Sequence, residues 1–135
     1  MSTRFVALCT FLLASGITSI AAAEESPLRV TEINACREIV KAECRGMDKT
    51  FGADVENVAV FSRVEGATGE AFVTHVWSFE GKEVRRVKLP IRTSAYRTWS
   101  LKRVKDLPGK WKVDVLDPVE RLIGSVEFAV APPRD

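Results

Sequence analysis

Beyond residue 27, apolar and polar residues alternate with a period of two along most of the chain, and that alternation marks strands rather than helices. It is cleanest from Ala71 to Ile91, AFVTHVWSFEGKEVRRVKLPI, which reads as a hairpin. On the first arm, Ala71 to Phe79, one face carries Val73, His75, Trp77 and Phe79, and the other carries Phe72, Thr74, Val76 and Ser78. Glu80, Gly81 and Lys82 form the loop, with Gly81 suited to positive φ. The second arm, Val84 to Ile91, sets Val87, Leu89 and Ile91 against Arg86 and Lys88, so one face is core and the other is wet.

Five further strands follow from the same pattern. Leu28 to Ile39 is the first strand, and Val58 to Val64, rich in β-branched residues, is the second. Between them Val40 to Asn57 reads as a long loop with Phe51 tucked inward, because Gly46, Asp48, Gly52, Asp54 and Asn57 interrupt it. Gly66 to Gly69 turns the chain into the hairpin, and Arg92 to Ala95 turns it out again. On the fifth strand, Tyr96 to Val104, Trp99 and Leu101 alternate with Thr98, Ser100 and Lys102. Leu107 to Gly109 is a turn, and the sixth strand, Lys110 to Leu116, alternates Trp111, Val113 and Val115 with Lys110, Lys112 and Asp114. After Asp117 and Pro118 the seventh strand, Leu122 to Val130, offers Leu122, Val126, Phe128 and Val130 to the core. Seven short strands with frequent turns predict an all-β fold, an antiparallel seven-stranded immunoglobulin-like β-sandwich, with a closed barrel as the alternative.

The amino terminus stands outside this pattern. Arg4 precedes the apolar run Phe5 to Leu13, and small residues lead up to Ala21, Ala22 and Ala23. Residues 1–23 read as a cleaved secretory signal peptide, which leaves residues 24–135 as a single domain with no membrane span. The expected location is periplasmic or secreted. Cys36 and Cys44 then remain as an even pair in an oxidising compartment, and a disulfide closing a short loop is expected. Two rival readings are a helix from Asn34 to Gly46, which would hold the sulfurs too far apart to bond, and a zinc site with His75, for which the ligand set is poor.

Charge changes the picture most. From Lys82 to Lys112 there are eleven Lys and Arg against Glu83 and Asp106, while the segments on either side are net acidic. Arg86 and Lys88 on the fourth strand, Lys102 on the fifth and Lys112 on the sixth would form a basic face if their polar sides were exposed together. Arg97 shares the parity of Trp99 and either pairs at the core edge or flanks a pocket; Tyr96, of opposite parity, is the best exposed aromatic candidate. The competing reading has acids from the flanking segments folded over the basic residues and neutralising them. Nucleic acid is a poor partner for an exported chain of nearly balanced charge with no recognised motif. An anionic envelope polymer, bearing phosphates or carboxylates, or an acidic envelope protein fits better.

No residue set demands a reaction. His75 shares its face with Val73, Trp77 and Phe79, which predicts a buried, hydrogen-bonded imidazole. There is no G-x-S-x-G elbow, and nothing in the spacing of Glu32, Asp54 or Glu80 singles out a carboxylate pair. By parity Trp77, Trp99 and Trp111 all lie with core residues. A non-catalytic binding or accessory module without a cofactor is the expectation. The alternative is a structural protein that pairs with another envelope component through a strand edge.

The run Thr74-His75-Val76-Trp77, then Tyr96 to Lys102, then Gly109 to Val113, then Phe128 with Val130, resembles the bacterial domain-of-unknown-function family 2914. The resemblance extends from about Val30 to Val130 and implies an exported or membrane-tethered β-rich domain with no assigned activity. Tyr96, Leu101 and the turn Pro118 to Arg121 depart from that pattern.

Overall fold

The computed structural model describes Gly16 and residues 26–134, so the expected signal peptide, apart from Gly16, lies outside the described residues. No helix occurs among them. Nine strands follow in order: β1 Arg29–Val40, β2 Glu43–Met47, β3 Thr50–Phe51, β4 Asn57–Glu65, β5 Ala71–Phe79, β6 Lys82–Ile91, β7 Ala95–Arg103, β8 Gly109–Leu116 and β9 Leu122–Val130. They form two sheets, a four-stranded one in the order β2-β1-β4-β7 and a five-stranded one in the order β3-β9-β8-β5-β6. All seven expected strands are present. Two more, β2 and β3, arise within the stretch expected to be a loop.

The first addition follows from the turn after β1. Val40 stands opposite Glu43, so Lys41 and Ala42 alone make the reversal, both at positive φ, 52° and 58°. That is the two-residue hairpin geometry whose twist suits the flanking strands. The Cys36–Cys44 disulfide, with Cα atoms 5.7 Å apart, ties the hairpin together. It contributes roughly 2–3 kcal/mol by restricting the unfolded chain. A helix across Asn34 to Gly46 is thereby overturned, since β1 and β2 occupy those residues. β3 is the second addition and pairs with β9 in parallel, the one departure from an antiparallel arrangement. Ala129 N donates to Lys49 O and Ala131 N to Phe51 O, both at 2.8 Å, which swings Phe51 inward as expected.

The β5–β6 hairpin forms where the sequence places it, with a tighter loop than expected, since Lys82 already belongs to β6. Phe79 stands opposite Lys82, and Glu80 and Gly81 take φ of 49° and 82° between them. Gly66 serves a different purpose: at φ 100° it lies against the Pro27 carbonyl, and a Cβ there would run into that oxygen. The end of β4 is thus held tightly under the segment that leads into β1.

The two sheets bury their facing sides together. Ala35, Val58 and Val60 from one sheet meet Trp77, Trp111, Val113, Phe128 and Val130 from the other in one cluster. Trp111 and Phe128 stack with ring centroids 6.0 Å apart, and Trp77 meets both edge-on at 6.5 and 6.2 Å. Such edge-to-face and offset arrangements suit the ring quadrupoles and add to the stabilisation from burial. A second cluster, including Leu28, Val64, Val73, Ile91 and Val115, fills the other end.

β7 reverses the expected orientation. Thr98 and Ser100 are buried while Trp99 is half-exposed and Leu101 is 44% exposed. The physical reason lies on the opposite sheet, where a fully buried imidazole requires hydroxyl partners. Tyr96, expected outside, is therefore half-buried against the second cluster, and Trp99, expected inside, stands on the outer surface opposite Phe61.

Candidate functional site

His75 is completely buried on β5, facing the four-stranded sheet. Its Nε2 lies 2.9 Å from Ser62 Oγ on β4, and its Nδ1 lies 2.7 Å from Ser100 Oγ on β7. Trp77 Nε1 donates to the same Ser100 oxygen at 3.0 Å. An indole can only donate, so Ser100 accepts from Trp77 and is free to donate its own proton to Nδ1. His75 then donates from Nε2 to Ser62, and donors run in one direction through the whole chain of bonds. Each bond in such a chain polarises the next. Adding a proton to the ring would make both nitrogens donors and turn the Ser100 hydroxyl proton away from its acceptor.

Burial also penalises the charged ring and lowers the His75 pKa from 6.5 to about 4. The imidazole is therefore neutral at physiological pH, and it is buried and hydrogen-bonded as the sequence predicts. Ser62 and Ser100 are buried as well. The geometry is that of a polar tie between sheets, with every buried side-chain nitrogen and oxygen among the described residues finding a partner.

Asp117 is a buried carboxylate. Its Oδ1 accepts from Val119 N and Arg121 N at 3.0 and 2.8 Å, and its Oδ2 accepts from Arg121 Nε at 2.9 Å. Desolvation opposes ionisation there, but hydrogen bonds from the Arg121 backbone, Ser26, the Arg121 side chain and the Val119 backbone outweigh it and hold the carboxyl below its usual range. The carboxylate shapes the turn between β8 and β9.

The basic residues are placed differently from the single face expected. β5 separates β6 from β8, and β7 belongs to the other sheet, so the fourth, fifth and sixth strands of the sequence share no common surface. Arg86, Lys88 and Lys112 do lie on the outer side of the five-stranded sheet, but Lys112 is two strands away from the others. Lys112 pairs with Asp114 at 3.6 Å and lines, with Lys49 and Lys110, a shallow concavity of about 510 Å³. Arg86 is neutralised by Glu83 at 2.6 Å and Glu120 at 2.8 Å, and these bonds raise its pKa. Lys88 Nζ sits 3.9 Å from the centre of the Phe72 ring. Arg97 is exposed on the outer side of the four-stranded sheet, and Lys102 reaches back, donating to Arg103 O at 3.1 Å with its ammonium 5.8 Å from the Trp111 ring.

Topology gathers most of these charges in another way. β6 and β7 are the terminal strands of their two sheets, and they lie side by side on the same flank. Arg85 spans the gap between them, its Nη1 donating to Leu101 O at 3.0 Å. Residues 82–105, which make both strands and their connection, carry nine Lys and Arg against one acid, Glu83. Arg86, Lys88, Arg97 and Lys102 all belong to this flank, as does Tyr96, though its ring is turned toward the core. Sequence reasoning missed Arg85 because its parity places it with Val87 and Leu89. Its length carries the guanidinium past the core to the neighbouring strand.

Among curated proteins none matches the chain. The resemblance noted from about Val30 onward is supported over a shorter span, which begins just before β5 and includes His75, Trp77, Ser100 and the whole basic flank but leaves out Ser62. Over residues 70–130 the chain matches the family described as "Protein of unknown function (DUF2914)".

Proposed function

We propose that this chain is an exported, non-catalytic binding module of the cell envelope whose basic flank contacts an anionic partner. The observation that carries the reading is the convergence of β6 and β7: two neighbouring edge strands, from different sheets, with eight net positive charges across residues 82–105. Such a concentration raises the local potential and draws anions toward the flank. Arg86 and Arg103 are committed to carboxylates, whereas Arg85, Lys88, Arg97 and Lys102 take part in no ion pair among the described residues. A non-catalytic role is the reading best supported by His75, since both ring nitrogens are hydrogen-bonded to buried hydroxyls, those of Ser62 and Ser100, away from solvent.

We assign the fold to the immunoglobulin-like sandwiches. With β2 and β3 set aside, the first, second and fifth strands group against the third, sixth and seventh, and the fourth joins the third. That grouping, and a buried tryptophan on the third strand, Trp77, support the assignment. The apolar stretch before residue 24 supports export and a periplasmic or secreted location.

The test is retention of residues 24–135 on isolated cell-envelope fractions at low and high salt, with the triple variant Lys88→Glu, Arg97→Glu, Lys102→Glu beside it. Retention is expected at low salt, to fall as salt rises, and to be lost in the variant while its circular dichroism stays unchanged. Salt-resistant retention that the folded variant shares would sink the reading.

A further inference from the structure

We propose that the free edge of β7 is a docking strip for an acidic, extended segment of a partner polypeptide, which joins the four-stranded sheet as an added strand. The inference rests on the reading of the chain as a module for an anionic partner, and it names the partner's class and the backbone groups that hold it.

The geometry of β7 points to these groups. Along a strand, consecutive residues aim their N–H and C=O groups to alternate sides. Val104 N donates to Glu56 O at 2.9 Å, toward the β4 side, while Leu101 O accepts from Arg85 on the opposite side. Arg97, Trp99, Leu101 and Arg103 therefore present their backbone groups outward. β7 pairs with β4 through nine consecutive positions, Asn57↔Arg103 to Glu65↔Ala95, with no register shift, and contains no proline. A straight, proline-free edge of this length is a template for another strand.

The other terminal strands are poorer templates. β6 carries Pro90, which has no N–H, and its register with β5 shifts between Trp77 and Ser78. β2 has five residues and β3 two. Arg85 occupies one outward carbonyl of β7 with a side-chain donor, a contact that an incoming backbone N–H replaces while freeing the guanidinium for a carboxylate.

Charge selects the occupant. β7 bears Arg97 and Lys102, besides Arg103 already paired with Glu56, with no acid of its own, and Arg85 and Lys88 stand on the adjoining strand. A second copy of β7 laid antiparallel would set these cations against one another, and like charges across a strand pair are destabilising. A segment with carboxylates at alternate positions turns them to Arg85 and Lys102, on the face away from Trp99 and Leu101, and still supplies the backbone ladder. Half-exposed Trp99 and exposed Leu101, on the outer face, give its alternate side chains an apolar surface to lie beside.

The experiment uses the 15N-labelled mature chain and three capped nine-residue peptides: alternating Glu and Val, alternating Glu and Pro at equal charge, and alternating Thr and Val without charge. The Glu/Val peptide is expected to bind about tenfold more tightly than either control, because Thr/Val makes the ladder without the charge pairs and Glu/Pro, with φ fixed and an N–H missing at every second residue, has the charge without a full strand backbone. It is expected to slow exchange of the Trp99, Leu101 and Arg103 amides. Leu101→Pro removes an outward N–H without touching the β4 ladder, and it is expected to abolish that preference; if the variant does not fold, the peptide contrast and amide protection decide alone. Equal binding of Glu/Val and Glu/Pro with no amide protection overturns the strand while leaving the anionic reading intact. Equal binding of Glu/Val and Thr/Val overturns the selection by charge. No binding by any peptide overturns the proposal, and salt-sensitive envelope retention then decides separately whether the broader reading survives.

Discussion

Lowering the pH from 7 to 5 tests the interior of this protein through one side chain. The folded His75 has its pKa depressed to about 4, against 6.5 for the exposed ring. In that interval the unfolded chain takes up a proton that the folded one refuses, so acid favours unfolding. Below pH 6.5 the stability falls by about 1.4 kcal/mol per pH unit, the free energy of one unit of displaced titration. The loss reaches about 2 kcal/mol by pH 5 and about 3 kcal/mol once the folded ring itself titrates. The depressed pKa of Asp117 moves its own contribution to more acidic solution, where stability is lost as the pH falls through the folded value.

The assay is equilibrium urea unfolding, followed by tryptophan fluorescence, at half-unit steps from pH 7.5 to 5. His75 is the only histidine in the chain, so its ring resonances can be titrated by NMR without ambiguity. His75→Gln, whose amide can still donate to one serine and accept from the other, should flatten the pH dependence. An unfolding midpoint unchanged between pH 7 and 5, or a ring titrating near 6.5 in the folded protein, would refute the burial and the hydrogen-bond chain together.

Two further outcomes follow from local geometry. Ser100→Ala leaves the Trp77 N–H and the His75 Nδ1 without their shared partner, and a destabilisation of about 3 kcal/mol is expected from two buried polar groups left unsatisfied; an effect below 1 kcal/mol in urea unfolding would argue against the network. Replacing Lys41 by Asn together with Ala42 by Gly puts residues suited to positive φ into the β1–β2 turn, with an expected gain of about 1 kcal/mol by the same measurement, and a neutral or destabilising result would count against that turn geometry.

Much of the architecture is legible in the chain wherever alternation and turn chemistry agree. The β5–β6 hairpin is fixed by Gly81 and by clean alternation on both arms, and the disulfide by an even pair of cysteines beyond residue 23. β2 and β3 were illegible because their segments do not alternate and owe their order to partners: a tight reversal and a covalent bond for one, nine-residue β9 for the other. β7 misleads for a deeper reason. Its apolar residues, Trp99 and Leu101, define a stripe that alternation assigns to the core, yet the inward positions go to Thr98 and Ser100. Hydroxyls win there because His75 and Trp77 bring polar atoms into the interior that hydrocarbon could not satisfy. The concentration of charge from Lys82 onward is plain in the sequence, but its shape is not. Two consecutive strands that enter different sheets make a flank, where consecutive strands of one sheet would have made a face.

The Trp77–Ser100–His75–Ser62 connection also bears on how the two halves of the protein are aligned. Hydrocarbon surfaces attract without direction, so two greased plates can slide by one residue and lose little contact area. Here the serines belong to one plate and the ring and indole to the other, and any slip breaks all three bonds at once. The connection acts as a dowel pin: it sets a single alignment of the plates, and through that alignment it sets the spacing of the two terminal strands on which Arg85 and Leu101 meet.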